Sequence, residues 1–177
     1  MWKVMSMKSS AIFSECGLYR YELRREWASN KPPYCALMLN PSTADATRND
    51  PTVVRQLRRA SHSGYGSLIV LNLGAGRNTD PKKWLVMPDP IGPKNFDYIR
   101  RAFNEVKNRK GIVVVGWGSH AINRMQDVRK VIRIAESCEI TLHCLGLSQS
   151  GQPVHPLYVS YRQQPVLWEP RLSAGPA

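Results

Sequence analysis

Four short and almost uninterrupted apolar runs, at residues 35–39, 67–73, 111–116 and 140–145, constrain the fold more than any other feature of this sequence. A strand with one face in water alternates apolar and polar side chains, so these runs predict strands that are covered on both faces. Segments with helical periodicity lie between them. Strand, helix and strand repeated three times predict right-handed crossovers and a mainly parallel sheet. We therefore expect an α/β fold, a three-layer sandwich around a four-stranded central sheet.

Capping residues and apolar spacing predict the helices. Asp50 followed by Pro51 is typical of a helix start, and Val53, Val54 and Leu57 then share one helix face. The same spacing predicts two later helices, with core faces formed by Phe96, Ile99, Phe103 and Val106 and by Ile122, Met125, Val128 and Ile132.

An N-terminal β-hairpin, at about residues 11–25, precedes these elements. Two short strands flank Cys16-Gly17, and Tyr19, Tyr21 and Leu23 are expected on one side with charged residues on the other. The length of 177 residues is close to that of one domain, so we expect a single domain over residues 1–177 with its core at about 35–161.

The charge of the chain favours a polyanionic partner. Lys and Arg number 25 against 13 Asp and Glu, which gives a formal net charge of +12 and a pI of about 9.9. Nucleic acid is the first candidate, and a basic surface that only aids solubility is the alternative.

The cysteines and the hydropathy indicate a cytoplasmic protein without a metal. The sequence contains no C-x-x-C pair and no signal peptide, so disulfides are not expected. Cys138, His143 and Cys144 match the spacing of no common metal site. Because no apolar run approaches the roughly 18 residues that cross a bilayer, no membrane span is expected either.

Polar groups follow each predicted core strand. In a parallel α/β sheet, ligands bind beyond the carboxyl ends of the strands. Here these ends carry Asn40-Pro41-Ser42-Thr43, Asn72, Gly116-Trp117-Gly118-Ser119 and, in the last loop, His155-Pro156-Leu157-Tyr158. Neither a dinucleotide-binding nor a triphosphate-binding glycine motif occurs.

In order and spacing these segments resemble the uracil-DNA glycosylase superfamily. The counterparts of its motifs are Leu39-Asn40-Pro41-Ser42, Val70-Leu71-Asn72, Gly116-Trp117-Gly118-Ser119-His120-Ala121 and His155-Pro156-Leu157. The sequence is also similar to a bacterial and phage family catalogued as a domain of unknown function. The resemblance spans residues 35–161 and implies a uracil-DNA-glycosylase-like fold.

The resemblance implies a role for three side chains. Asn40 would hold and polarise a water near the anomeric carbon, and His155 would donate to the pyrimidine O2 as negative charge develops on the leaving base. Asn72 would read the edge of the flipped base. A turn amide for Asn40 and a structural loop histidine for His155 are the alternatives, and Asp45 is a reserve general base, since Asp50 is more simply explained as a helix cap.

The substrate and DNA contacts follow from the same comparison. Pro41, Ser42 and Thr43 would line the base pocket, and Ser42 stands where uracil-specific members place a tyrosine, so a substituent at C5 should be tolerated. The predicted DNA-contacting residues are Arg77, Gly116, Trp117, Gly118, Ser119, Leu157 and Tyr158, with Leu157 or Tyr158 as the wedge. General attraction would come from Arg55, Arg58, Arg59, Arg77, Lys82 and Lys83.

The sequence therefore predicts a monofunctional DNA glycosylase that acts on duplex DNA, needs no cofactor, metal or obligate protein partner, and excises a 5-substituted or hypermodified pyrimidine in repair or anti-phage defence. A non-catalytic module that binds modified DNA and a nucleotide or nucleoside hydrolase are the alternatives.

Overall fold

Residues 7–170 are described by the computed structural model, and a mixed sheet runs through the centre of this range. The strands are β1 (Lys8–Phe13), β2 (Arg20–Glu26), β3 (Pro33–Met38), β4 (Ser67–Asn72), β5 (Ile112–Val115), β6 (Leu142–Cys144) and β7 (Val166–Leu167). The helices are α1 (Pro51–His62), α2 (Pro81–Leu85), α3 (Asn95–Asn108) and α4 (Met125–Ser137), with 3₁₀ helices at Ser119–Arg124 and Pro156–Tyr158.

The sheet contains the four predicted parallel strands, but it is wider than predicted. Its order is β1-β2-β4-β3-β5-β6-β7, and the pairs β4–β3, β3–β5 and β5–β6 are parallel. The hairpin is part of this sheet, because β2 pairs antiparallel with β4 from Leu23↔Val70 to Glu26↔Ser67. β7 pairs antiparallel with β6 at the opposite side. These additions satisfy backbone groups at the edges of β4 and β6.

Alternate residues of β3 contact two different hydrophobic clusters, so the sheet is covered on both faces. Cys35 and Leu37 belong to the cluster that includes Ile99 and Phe103 of α3, whereas Ala36 lies in the cluster of α1. This arrangement explains why the core strands are apolar throughout, and it confirms the α/β class.

Two local predictions are wrong. The Ile122 side chain is 55% exposed, because residues Ser119–Arg124 form a 3₁₀ helix and α4 begins only at Met125. Tyr21 and Leu23 do not share one side of β2. The Tyr21 ring stacks on Tyr98 of α3 with ring centroids 5.0 Å apart, while Leu23 packs in the cluster of α1.

The connections that follow β3 and β4 lead to opposite sides of β3 in the sheet. The chain leaves β3 for β4 on one side and then passes back to β5 on the other side. Strand order reverses at such a point, and a crevice opens beyond the carboxyl ends of the strands. In the part of the chain that the structure describes, we find no helix with the length and apolar character of a membrane span.

Candidate active site

A cavity of about 750 Å³ lies at this crevice. The ends of β3 and β4, the N-terminus of α1, the segment after β5 and the loop around His155 form its wall. The predicted site residues that line it are Asn40, Ser42, Thr43, Asn72, Trp117, Gly118, Ser119, His155, Leu157 and Tyr158. The structure therefore brings the amides, the imidazole and the candidate wedge residues around one space.

Four predicted site residues do not line this cavity. Pro41 and Gly116 are buried beside it, and Asp45 lies in the following loop. Arg77 lines a neighbouring cleft of about 450 Å³ together with Ser42 and Thr43. Its guanidinium lies 4.9 Å from the centroid of the Phe13 ring and donates to the carbonyl oxygen of Gly17 at 3.1 Å.

The orientation of the Asn40 amide is determined by two main-chain carbonyls. Its Nδ2 donates to the carbonyl oxygen of Asn78 at 2.5 Å and to that of Pro41 at 3.3 Å. Since carbonyls only accept, the NH₂ group must face them, which leaves Oδ1 as an acceptor. The contact with Asn78 connects two strand-end loops, so the Asn40 side chain has a structural role, as the turn-amide alternative also proposed. Its Oδ1 can still accept a hydrogen bond from a water.

The Asn72 amide is oriented by a buried arginine. Arg20 donates from Nη2 to Asn72 Oδ1 at 3.3 Å, and a guanidinium cannot accept a hydrogen bond. The Asn72 Nδ2 group is therefore the free donor of this amide. The sequence alone left either orientation open, and the structure selects one.

His155 is positioned as a neutral donor. Its Nδ1 accepts from the backbone N–H of Leu157 at 3.4 Å, so the neutral imidazole carries its proton on Nε2. Burial lowers the pKa of His155 below its ordinary value of 6.5, and the carboxylate of Asp50 partly opposes this shift. A neutral imidazole that carries its proton on Nε2 can donate one hydrogen bond to an acceptor in the cavity.

The carboxylate in the cavity wall is Asp50 rather than Asp45. Asp45 Oδ1 accepts from the backbone N–H groups of Thr47 at 2.8 Å and Arg48 at 2.7 Å, and these bonds lower its pKa. Asp50 caps α1, because its Oδ1 accepts from the N–H of Val53 at 2.9 Å, and it also lines the cavity. The reserve role given to Asp45 is therefore corrected: that carboxylate caps a turn outside the cavity.

The glycine-rich segment after β5 is held against the loop of His155. The N–H of Gly116 donates to Leu37 O at 2.8 Å, and the N–H of Gly118 donates to Pro153 O at 2.8 Å. Both glycines were predicted to contact DNA, but their N–H groups are occupied within the protein. A Cβ at Gly116 would lie 2.9 Å from Pro156 Cδ, so the close approach of the two segments needs glycine.

The buried side chain of Trp117 anchors the glycine-rich segment in the protein interior. Its Nε1 donates to Gln152 Oε1 at 3.0 Å, and its ring meets Trp168 edge to face at a centroid separation of 5.2 Å.

Besides Arg77, two members of the predicted basic patch have structural partners. Arg59 donates to the carbonyl oxygens of Gln163 at 2.7 Å, Ser160 at 3.0 Å and Val159 at 3.2 Å. Arg55 donates to Val159 O at 2.6 Å and lies over the Tyr161 ring. They hold the loop that follows the candidate wedge, while Arg58, Lys82 and Lys83 remain exposed.

Within residues 7–170 no group of three or more His, Cys, Asp or Glu side chains converges as a metal site. All four cysteines are free thiols, and Cys138 and Cys144 are buried.

Sequence reasoning missed Arg20 and undervalued Asp50. Asp50 had a signal, because helix N-termini border the ligand crevice of α/β folds. Arg20 had none. Its strand was predicted, but only the pairing of β2 with β4 brings it beside Asn72.

Comparison with known proteins identifies a family. A family model described as "Protein of unknown function (DUF1643)" matches residues 20–157. No curated protein is significantly similar to the chain. Among solved structures, the chain is similar to a hetero-hexameric glutamate dehydrogenase from Thermus thermophilus in a Leu-bound form, with a TM-score of 0.33 and 13% identity. That match covers 76% of this chain and 31% of the other, and a likeness this weak carries no argument. The resemblance to uracil-DNA glycosylases stays a prediction.

Proposed function

We propose a function for a chain that belongs to the DUF1643 family: hydrolysis of the N-glycosidic bond of a flipped, 5-substituted pyrimidine in DNA by a monofunctional glycosylase with a uracil-DNA-glycosylase-like fold. One observation carries the proposal. Asn40, Asn72 and His155 come from distant parts of the sequence and line a single cavity. Its volume of about 750 Å³ lies within the range of about 300–1,000 Å³ that is usual for ligand sites.

The polar groups of the cavity fit the two requirements of the reaction, which are activation of the water and stabilisation of the leaving base. Asn40 Oδ1 would accept a hydrogen bond from the attacking water, and Asp50 would take the proton of that water as the C–N bond breaks. His155 would donate from Nε2 to O2 of the departing base, where negative charge collects. Asn72 would donate from Nδ2 to the base edge.

The rim of the cavity supports recognition of DNA. The Tyr158 side chain is 85% exposed next to Leu157, so an aromatic ring stands where a wedge could enter the base stack. Ser42 is small and leaves room beside C5 of the base. The net charge of +12 favours attraction to the duplex. We place this reaction in the cytoplasm, in repair or in defence against phage DNA.

A panel of duplexes tests the proposal. Purified protein is incubated with DNA that contains uracil, a thymine mismatch or a bulky 5-substituted pyrimidine, and abasic sites are revealed by alkali. We expect cleavage of at least one 5-substituted substrate, loss of most of that activity in Asn40→Ala, and full activity in Asn104→Ala, which removes an exposed amide on α3. Full activity of Asn40→Ala would refute the role of Asn40.

The same assays separate the two alternatives. A non-catalytic module would bind modified DNA without producing abasic sites, and a nucleoside hydrolase would cleave free monomers. Among the described residues that line the cavity none is a lysine. We therefore expect no covalent adduct on borohydride treatment, and a trapped adduct would contradict a monofunctional mechanism.

A further inference from the structure

Arg20 places a buried positive charge in the wall of the cavity. The residue is 2% exposed, and its guanidinium donates from Nη1 to Ala44 O at 2.8 Å and from Nη2 to Asn72 Oδ1 at 3.3 Å. Its Nε is buried and has no hydrogen-bond partner. The Nε atoms of Arg55, Arg59 and Arg124 are also buried without a partner, but of these four arginines Arg20 alone lines the cavity. An unpartnered buried donor costs free energy, and at a cavity wall a ligand can supply its acceptor.

Arg25, a second buried arginine of β2, has a hydrogen-bond acceptor for every nitrogen of its guanidinium group. Arg25 is 1% exposed, and all three of its nitrogens donate. Nε reaches Asn49 Oδ1 at 2.9 Å, and the two terminal nitrogens reach main-chain carbonyls that include Asp45 O at 2.6 Å. Arg25 holds a loop in place and does not line this cavity, whereas Arg20 is incompletely bonded and does.

The charge of Arg20 also lacks a direct counterion. Within residues 7–170 no ion pair joins its guanidinium to a carboxylate. Burial lowers its pKa to about 10, and Asp50 opposes that shift while Arg77 and Arg25 add to it. Arg20 therefore stays protonated at neutral pH. Buried charges in proteins are usually paired, so a charged guanidinium here favours an anionic guest.

Depth within the cavity identifies the part of the ligand that meets Arg20. Arg20 and Asn72 are each 2% exposed, whereas Tyr158 and Ser119 are exposed at the rim. A flipped nucleotide enters base first, and its sugar and phosphates stay towards the rim. The group that reaches Arg20 must then belong to the base.

We propose that the cavity wall at Arg20 binds an oxyanion carried by the base, of carboxylate type, and that Arg20 is the residue that selects it. This inference rests on the proposed function for the identity of the ligand as a pyrimidine. Arg20 would donate a charge-assisted hydrogen bond to the oxyanion, and the free Nδ2 of Asn72 would donate to a neighbouring oxygen of the base.

Two free bases of nearly equal shape test the charge. Binding of uracil-5-carboxylate and of its neutral isostere uracil-5-carboxamide is measured by calorimetry at pH 7.5 with wild-type protein. We expect the carboxylate to bind at least tenfold more tightly, since hydrogen bonds to charged groups contribute about this much or more. Equal affinities, or a carboxylate that does not bind at millimolar concentration, would overturn the proposal.

Variants assign the effect to Arg20. The preference should disappear in Arg20→Gln, persist in part in Arg20→Lys, and remain complete in Arg133→Gln, which removes one exposed charge on α4. If Arg20→Gln does not fold, the wild-type comparison and Arg20→Lys still decide. A preference that persists unchanged in a folded Arg20→Gln would refute the assignment.

The two proposals can fail separately. Preferential binding of the carboxylate without abasic product in any duplex would remove the glycosylase activity and leave the anion site. Cleavage of DNA without a carboxylate preference would support the glycosylase activity and refute the anion site.

Discussion

The position of His155 in the fold favours the neutral form of its imidazole. Burial disfavours the charged ring, and the N–H of Leu157 faces Nδ1, a position that only an unprotonated nitrogen tolerates. The chemistry of His155 thus depends on the packing around it.

This environment predicts a pH dependence of stability. The folded-state pKa of His155 is below its ordinary value of 6.5, so near that pH the unfolded chain binds the proton more readily. The contribution of neutral His155 is present above pH 6.5 and is lost as the pH falls through that value towards the folded pKa. We expect the free energy of unfolding of wild type, minus that of His155→Asn, to decrease between pH 7.5 and 5. Urea unfolding of both proteins at a series of pH values measures this difference in free energy. A difference that does not change with pH would contradict the lowered pKa of His155.

At the scale of elements, α1 begins at the cavity, and one residue serves both the helix and the site. Asp50 caps the helix through Val53 N–H and presents its carboxylate to the cavity.

Two substitutions at Asp50 separate these duties. Asp50→Ala should destabilise the fold by about 1 kcal/mol, because the cap is lost. Asp50→Ser retains a capping oxygen, so its stability should stay close to wild type while its glycosylase activity falls with the loss of the carboxylate. Thermal unfolding and the abasic-site assay measure the two effects. Wild-type activity in Asp50→Ser would restrict Asp50 to capping.

A side chain of α1 also holds the loop that follows the second 3₁₀ helix. Arg59 donates to three carbonyl oxygens in residues 159–163, and Val159 also lines the cavity. Arg59→Met should destabilise the protein by about 1–3 kcal/mol and accelerate hydrogen exchange in that loop, because Gln163 O loses its donor and Val159 O and Ser160 O each lose one of two donors. The adjacent exposed Arg58→Met is the control and should change neither quantity. Unchanged exchange in Arg59→Met would show that other contacts hold the loop.

At the scale of the whole molecule, the net charge of +12 overstates the free positive surface. Arg20, Arg25, Arg55 and Arg59 all donate to main-chain carbonyls inside the fold. The basic groups left for DNA are the exposed ones.

Salt dependence of DNA binding tests the remaining surface. If about four phosphates are contacted, the affinity for an unmodified duplex should fall about a hundredfold between 50 and 200 mM salt. Fluorescence anisotropy over this range measures the slope. A slope near zero would point to an enzyme of small nucleotides.

Local sequence was enough to predict the four parallel strands, the start of α1 and the convergence of strand-end polar groups. Each of these follows from periodicity, capping chemistry or the handedness of crossovers, which act over a few residues or one connection. The positions of Asn40, Asn72 and His155 after predicted strands indicate that the three side chains meet, and they line one cavity.

Only the tertiary structure decided which groups stay free inside that cavity. The pairing of β2 with β4 brings Arg20 to Asn72, and main-chain carbonyls from other loops orient Asn40 and occupy Arg55 and Arg59. A side chain's local sequence does not specify which distant carbonyl will face it. The sequence therefore determined where the candidate site lies, whereas long-range packing determined the charge, the donors and the acceptors that it presents.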